Sequence, residues 1–187
     1  MQLDPNLGEL IVQNGTIALQ PERDYFEALS GSIISQQISV KAAAKIFERF
    51  TAATALDPAR TLALRDDDIK TIGLSGQKAR YIRDLAAHFV SDAAVFNHLG
   101  TLSDDSVITE LTRVKGIGAW TAQMFLIFTL QRPDVFAPGD RGLQLAIERH
   151  YKQAVAKSEL EEFAKRWAPY RSTASLHLWH SLDNTPV

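Results

Sequence analysis

The sequence contains no cysteine, and this absence excludes several kinds of chemistry. A chain of 187 residues without thiols forms no disulfide, has no cysteine nucleophile and offers no cysteine ligands for zinc or an iron–sulfur cluster. A membrane-spanning helix needs ~20 apolar residues, and no run in the sequence approaches that length. The first residues, Met1-Gln-Leu-Asp-Pro5, lack the basic and apolar segments of a secretory leader, so we expect an intracellular protein without membrane contact.

An excess of positive charge is also missing. The 20 lysines and arginines are offset by 22 acidic residues, which gives a net charge of −2 and a pI of about 6.2. This balance argues against a protein that coats nucleic acid through charge alone. It leaves room for a local contact surface, because backbone amides at helix ends bind phosphate without a formal charge.

Strand signals are nearly absent, since Val and Ile do not alternate with polar residues over any useful length. Apolar residues recur instead at helical spacing between Gly, Pro, Ser and Asp boundaries. Ser158 is predicted to cap one of the last helices and Pro169 to begin the final one. We therefore predict an all-α protein of about ten short helices. Residues 1–187 would form a single domain with two helical sub-lobes around a cleft.

The most informative stretch is residues 111–122, LTRVKGIGAWTA, which predicts a helix, a tight turn and a second helix. The glycines of the turn, Gly116 and Gly118, permit backbone conformations closed to other residues and a close approach to another molecule. The first turn of the second helix points free amides and a positive dipole end outward, which suits a phosphate. A compact corner between two helices is the plainer interpretation, and the Gly-x-Gly pattern alone is weak evidence.

Asp140 ends the loop segment Pro138-Gly-Asp140 and stands directly before a predicted helix. A lone Asp in that position is typically an N-cap. The cap and a catalytic role are compatible, because a cap holds its carboxylate rigidly and a fixed carboxylate stabilises developing positive charge where water is excluded. Trp120 lies in the first turn after the glycines, where its ring could stack on a nucleic-acid base.

The polar segment Ser35-Gln-Gln-Ile-Ser39 interrupts two predicted helices. Its composition favours a helix break with Ser39 as the next N-cap. The alternative is that its amides enter a groove or replace a displaced base. The five histidines show no metal-ligand spacing with acidic partners, and we treat them as non-ligands.

Together, residues 111–122 and Pro138-Gly-Asp140 resemble the helix-hairpin-helix (HhH-GPD) DNA glycosylase superfamily. The chain is more narrowly similar to the 3-methyladenine DNA glycosylase II branch. The supporting segments are residues 33–39, residues 73–82, and residues 167–172 with Leu178-Trp179. The resemblance covers roughly residues 5–182, and we expect no N-terminal β-lobe of the kind that some members carry.

The resemblance implies a catalytic centre. Asp140 matches the catalytic carboxylate, which would stabilise oxocarbenium-like charge as the bond between the sugar and the base breaks. Trp120 occupies the position of the Schiff-base lysine in bifunctional members, so strand cleavage at abasic (AP) sites is not expected. Trp120 and Trp179 would line the base pocket and attract a cationic alkylated base through cation–π contacts. Met124 and Arg141 depart from the aromatic residues of some members, change the pocket wall and leave the preferred lesion open.

The resemblance also implies a DNA interface. Gln37 falls where members insert a wedge into the gap left by the flipped base. The hairpin would contact DNA through Lys115, Gly116, Ile117, Gly118 and Thr121. Backbone carbonyls of Thr112, Val114 and Ile117 match those that hold a sodium or potassium ion in several members. No other cofactor and no iron–sulfur cluster is expected.

The function predicted from the sequence is a monofunctional DNA glycosylase of base excision repair. It would hydrolyse the N-glycosidic bond of alkylated purines, namely 3-methyladenine, 7-methylguanine, 1-methyladenine or ethenoadenine, flipped from duplex DNA. We expect a monomer that acts in the cytoplasm, associated with the nucleoid, in a bacterium or archaeon, or in the nucleus of a eukaryote. The alternatives are a non-catalytic helix-hairpin-helix DNA-binding module and, suggested only by the acidic net charge, a helical interaction domain.

Overall fold

Helices account for all the regular secondary structure of the part of the chain that the computed structural model describes, residues 4–19 and 24–182. This confirms the all-α prediction. The helices are α1 (Pro5–Asn14), α2 (Tyr25–Ser35), α3 (Val40–Thr54), α4 (Pro58–Leu62), α5 (Asp66–Ile72), α6 (Gly76–Ser91), α7 (Ala93–Phe96), α8 (Asp104–Thr112), α9 (Ala119–Met124), α10 (Arg141–Tyr151), α11 (Leu160–Ala164) and α12 (Arg171–His180). A π-helical segment, Phe125–Thr129, continues α9, and 3-10 turns cover Leu99–Thr101, Lys157–Glu159 and Lys165–Trp167. Within these described ranges no helix has the length and apolar character to cross a membrane.

Seven of the α-helices in the described residues begin at a side-chain N-cap. An oxygen of the N-cap side chain accepts a hydrogen bond from a backbone N–H three residues further on, and such a cap stabilises a helix by ~1 kcal/mol. The caps of this kind are Asp4, Asp24, Ser39, Asp57, Ser75, Ser103 and Asp140.

Two helix starts predicted near the end of the chain were wrong. Ser158 does not cap a helix, because it lies inside a 3-10 turn and α11 begins at Leu160 without a side-chain cap. The last helix begins at Arg171 and not at Pro169. The reason lies outside the helix: Asp134 Oδ1 accepts the hydrogen bond of the Arg171 backbone N–H at 3.1 Å, so a distant loop residue satisfies the first helical amide.

The chain forms two compact units, in agreement with the two predicted lobes. The central unit is Arg23–Phe125, and the terminal unit combines Met1–Glu22 with Leu126–Val187. In the described residues, α2 to α9 belong to the central unit, whereas α1 and α10 to α12 belong to the terminal unit.

The core of the central unit is built around α6, which packs against α2, α4 and α7. Its inward face buries Ile82, Leu85 and Phe89 at helical spacing. The Phe89 ring meets Phe26 edge to face, with ring centroids 5.2 Å apart. This packing holds α6 in place, and α6 carries residues that contact the α8–α9 hairpin.

The terminal unit is held together by α12, which packs against both α1 and α10. Near its start an aromatic cluster surrounds Tyr151, whose hydroxyl donates to Asp4 Oδ1 at 2.9 Å and accepts from Trp167 Nε1 at 3.2 Å. Burial raises the pKa of Tyr151 well above its usual range, so the phenol stays protonated and keeps both bonds. Because Asp4 also caps α1, this cluster ties the first helix to the last part of the chain.

Candidate active site and nucleic-acid interface

Asp140 lies at the N-terminus of α10, at the end of the loop that follows the π-helical segment. Its Oδ1 accepts a hydrogen bond from the Leu143 backbone N–H at 2.8 Å, which confirms the predicted N-cap. The residue is 8% exposed. The carboxylate therefore sits in a nearly dry setting, where its field on a neighbouring positive charge is weakly screened.

A second donor reaches the same oxygen of Asp140 from α12. The indole Nε1–H of Trp179 donates to Oδ1 at 2.9 Å, and the Trp179 side chain is fully buried. Its ring stacks on Phe128, with centroids 5.8 Å apart and planes inclined by 27°. The resemblance predicted Trp179 as an aromatic wall of the base pocket, and it did not predict this bond to the carboxylate. One signal was available, because a buried Trp N–H usually finds a hydrogen-bond partner.

The loop that delivers Asp140 is fastened to the start of α12. The Arg171 guanidinium binds the Asp134 carboxylate at 2.8 and 3.1 Å and also donates to the Asp134 backbone carbonyl at 3.0 Å. Ser172 Oγ donates to the Arg132 carbonyl at 2.6 Å and accepts from the Val135 N–H at 2.9 Å. These bonds from Arg171 hold the pKa of Asp134 below its usual range. Thus α12 holds the loop at one end and Asp140 at the other.

The hairpin of the central unit joins α8 to α9 through residues 113–118. Gly116 has a φ of +87°, and a Cβ built on it would lie 2.2 Å from the Tyr81 ring of α6. Gly118 is the N-cap of α9 with an extended φ of −99°, and nothing lies within 4 Å of a Cβ added to it. The fold therefore requires glycine at 116, whereas at 118 the absence of a side chain leaves the surface open.

Lys115 in this turn is paired with Asp84 of α6. Its backbone N–H donates to Asp84 Oδ2 at 2.8 Å, and its ammonium lies 2.8 Å from Oδ1. Burial raises the pKa of the Asp84 carboxyl, but the bonds from Lys115 outweigh that effect and hold the pKa below its usual range. The resemblance predicted Lys115 as a DNA contact of the hairpin, where its ammonium brings a positive charge. The structure adds that Asp84 offsets part of this charge.

The polar turn between α2 and α3 is tied to the hairpin. Gln36 Nε2 donates to the Gly116 carbonyl at 2.9 Å, and the Lys78 ammonium donates to the Ile34 carbonyl at 2.7 Å. Burial lowers the pKa of Lys78. Gln37, the predicted wedge residue, is exposed and has a left-handed backbone with a φ of +59°. Ser39 caps α3, as the composition of this turn predicted.

Comparison with known proteins identifies the family. Residues 30–170 match the sequence model of the family described as "HhH-GPD superfamily base excision DNA repair protein". The chain belongs to the HhH-GPD superfamily. It is similar to a Bacillus subtilis protein that is provisionally named a DNA-3-methyladenine glycosylase, with 29% identity over 95% of the chain and 66% of the relative's length. The chain thus spans slightly less than two thirds of that relative.

Two solved structures agree with this membership. The DNA-3-methyladenine glycosidase of Bacillus halodurans is 35% identical, with a TM-score of 0.86 over 95% of this chain and 84% of that one. The 3-methyladenine DNA glycosylase of Schizosaccharomyces pombe, solved in complex with abasic DNA, is 26% identical, with a TM-score of 0.82 over 97% and 93% of the two chains. The names of these relatives agree with the branch that the sequence resembled.

The remaining predicted residues of this HhH-GPD protein divide between the two units. In the central unit, Trp120 lies in the first turn of α9 and is 39% exposed, whereas Met124 is buried at the end of the same helix. In the terminal unit, Arg141 is the exposed first residue of α10. Their contacts with a base, and that of Trp179, stay predictions.

Thr121 and Ile117 are buried, at 6% and 5% exposure. A DNA contact by either residue would therefore involve its backbone and not its side chain. For the predicted ion, α8 ends at Thr112, and carbonyls in the last turn of a helix carry the negative end of its dipole. The Val114 carbonyl accepts from the Ile117 N–H at 3.1 Å and retains a second lone pair. These oxygens suit a hard cation, and the ion itself stays a prediction.

Proposed function

We propose that this HhH-GPD protein is a monofunctional DNA glycosylase that removes alkylated purines from duplex DNA. The observation that carries the proposal is Asp140, a nearly buried carboxylate held by two donors at the end of the Gly/Pro loop. Relatives named as 3-methyladenine glycosylases support the choice of an alkylated base as substrate.

In the proposed reaction Asp140 acts on the sugar of the flipped nucleotide. The bond between C1′ and the base nitrogen breaks, and its electron pair leaves with the base. An alkylated cationic base departs as a neutral molecule, so no proton need be supplied to it. The negative carboxylate stabilises the positive charge that develops on the sugar, and a water molecule then adds at C1′ and loses a proton. Damaged or weakly paired bases cost the least to unstack, which gives part of the selectivity.

The hairpin would hold the DNA backbone in this proposal. First-turn amides of α9 and the open surface at Gly118 suit a phosphate oxygen. A sodium or potassium ion on the carbonyls of Thr112, Val114 and Ile117 would add a positive charge beside that phosphate. Gln37 is exposed on a turn that is hydrogen-bonded to the hairpin through Gln36, which supports its role as the wedge.

The test is base release from duplex DNA that contains 7-methylguanine or 3-methyladenine, with wild type and Asp140→Asn compared in single turnover. Asn keeps an oxygen for the cap and for the Trp179 bond, so the fold should survive while the charge is lost. We expect a fall in rate of at least about 100-fold. Equal rates for the two proteins would contradict the assignment of Asp140. Borohydride added to the same reaction should trap no enzyme–DNA adduct, because Trp120 offers no amine in the lysine position.

A non-catalytic DNA-binding module is the second candidate, favoured by the fact that the N-cap already gives Asp140 a structural role. This candidate predicts that the protein binds damaged DNA but produces no abasic sites with any lesion of a panel. Mass spectrometry of bases released from randomly methylated DNA separates the two candidates and identifies the preferred lesion.

A further inference from the structure

We infer that Trp179 is a positioning residue for Asp140, acting through its indole N–H rather than as a wall of the base pocket. The inference rests on the proposed glycosylase activity. It adds a specific role: the Nε1–H fixes the orientation of the carboxylate that stabilises charge on the sugar.

The first support is the way in which the two donors meet at one oxygen. Oδ1 of Asp140 accepts from Leu143 N at 2.8 Å and from Trp179 Nε1 at 2.9 Å. The cap bond places Oδ1 over the end of α10. The second donor comes from another helix, so a rotation of the carboxylate that moves Oδ1 would strain both bonds.

The second support is the rigidity of the donor itself. The Trp179 ring is fully buried and stacks on Phe128 of the π-helical segment, so the indole cannot change rotamer without opening the core. Its helix is fastened at the other end by Arg171 and Ser172 to the loop that leads to Asp140. Trp179 lies eight positions after Arg171, which is a rise of about 12 Å at 1.5 Å per residue. One helix therefore sets the position of the loop and of its terminal carboxylate.

The third support concerns the alternative role. An aromatic wall presents the face of its ring to a ligand. In this structure Trp179 exposes none of its surface, and Phe128 covers one face. The edge that bears the N–H is directed at Asp140. The contact geometry thus assigns the indole to the carboxylate.

The experiment compares Trp179→Phe with Trp167→Phe. Trp167 is a matched control, because it is also buried in the terminal unit and its indole N–H also donates to an oxygen, that of Tyr151. The measured quantities are the single-turnover rate at saturating alkylated DNA, the Kd for that DNA and the melting temperature. We expect Trp179→Phe to lower the rate about 10- to 100-fold with Kd changed less than about threefold. Trp167→Phe should lower the melting temperature and leave the rate and the Kd unchanged.

Trp179→Phe is also measured in the Asp140→Asn background. This double variant distinguishes a role through the Asp140 charge from a purely structural role. If Trp179 acts through the charge of Asp140, Trp179→Phe should lower the rate by less than about threefold once that charge is gone. An equal loss in both backgrounds, or an unchanged rate for Trp179→Phe in the wild-type background, overturns the inference. If Trp179→Phe does not fold, benzothienylalanine placed at position 179 by amber suppression keeps the shape of the indole and removes only the N–H, and the same rate loss is expected.

The outcomes separate this inference from the proposed function. The glycosylase proposal itself is overturned if the wild-type protein releases no base or if the Asp140→Asn variant keeps full activity. An inactive Asp140→Asn variant beside a fully active Trp179→Phe variant leaves the glycosylase proposal standing and overturns only the positioning role.

Discussion

At the scale of single residues, the two hairpin glycines, Gly116 and Gly118, have different structural roles. The sequence presents them as a symmetric pair, and the backbone angles alone begin to separate them: Gly116 is left-handed and Gly118 is extended. What the sequence could not show is the Tyr81 ring, which lies 35 positions earlier on α6 and occupies the space where a side chain on Gly116 would go. A local motif predicts a turn, and only a distant neighbour decides which of its glycines the fold requires.

This difference yields a prediction at the same scale. Gly116→Ala should lower the free energy of unfolding by at least about 2 kcal/mol, because it combines a strained φ with an overlap against Tyr81. Gly118→Ala should cost less than about 1 kcal/mol, the usual range for a change at an N-cap. Urea unfolding measures both. If the hairpin binds phosphate, Gly118→Ala should still weaken DNA binding about 10-fold through its added methyl group. Equal losses of unfolding free energy for the two variants would contradict the conclusion that the fold requires glycine at 116 and not at 118.

At the scale of elements, the loop from Gln131 to Gly139 depends on α12 for its shape. Local reasoning began the last helix too early, at Pro169, because the partner of its first amide, Asp134, is 37 positions away from Arg171. The same contact explains why the loop is ordered enough to present Asp140: the Arg171 guanidinium bridges the carboxylate and the carbonyl of Asp134. The local caps Ser39 and Asp140 were predicted, whereas the helix start that depends on the distant Asp134 was not.

The Asp134–Arg171 pair gives a pH-dependent prediction for this element. The folded-state pKa of Asp134 is depressed, so the pair stabilises the fold above the unfolded aspartate pKa of about 4. That stability is lost as pH falls through the lower folded pKa. Asp134→Asn should therefore lower the melting temperature at pH 6 to 7, and the difference from wild type should shrink below about pH 4. Asp66→Asn is the control, since the Asp66 side chain is 87% exposed. A gap that stays constant down to pH 3 would contradict the pair's role.

At the scale of the whole molecule, fold class and family follow from the sequence because they rest on patterns repeated along the chain. Helical spacing, caps and the hairpin with its downstream Asp are all readable locally. The contacts that complete the candidate site are long-range: Trp179 meets Asp140 across 39 positions, and Lys115 meets Asp84 across 31. Sequence spacing gives no measure of such distances, so the hydrogen bond between the Trp179 indole and the Asp140 carboxylate could not be predicted.

Net charge is the whole-molecule property that bears most directly on DNA binding. A protein of net charge −2 repels a polyanion at long range, and Asp84 offsets part of the charge on the hairpin lysine. Asp84→Asn changes the net charge to −1 and releases Lys115 toward solvent, while the Asn oxygen can still accept the Lys115 backbone N–H. We expect this variant to bind duplex DNA about two- to fivefold more tightly at 50 mM salt, with a steeper salt dependence. Fluorescence anisotropy titrations between 50 and 200 mM salt measure both quantities. Asp105→Asn makes the same change in net charge on α8 without touching Lys115, so an equal gain in that control would show that total charge, and not the release of Lys115, sets the affinity.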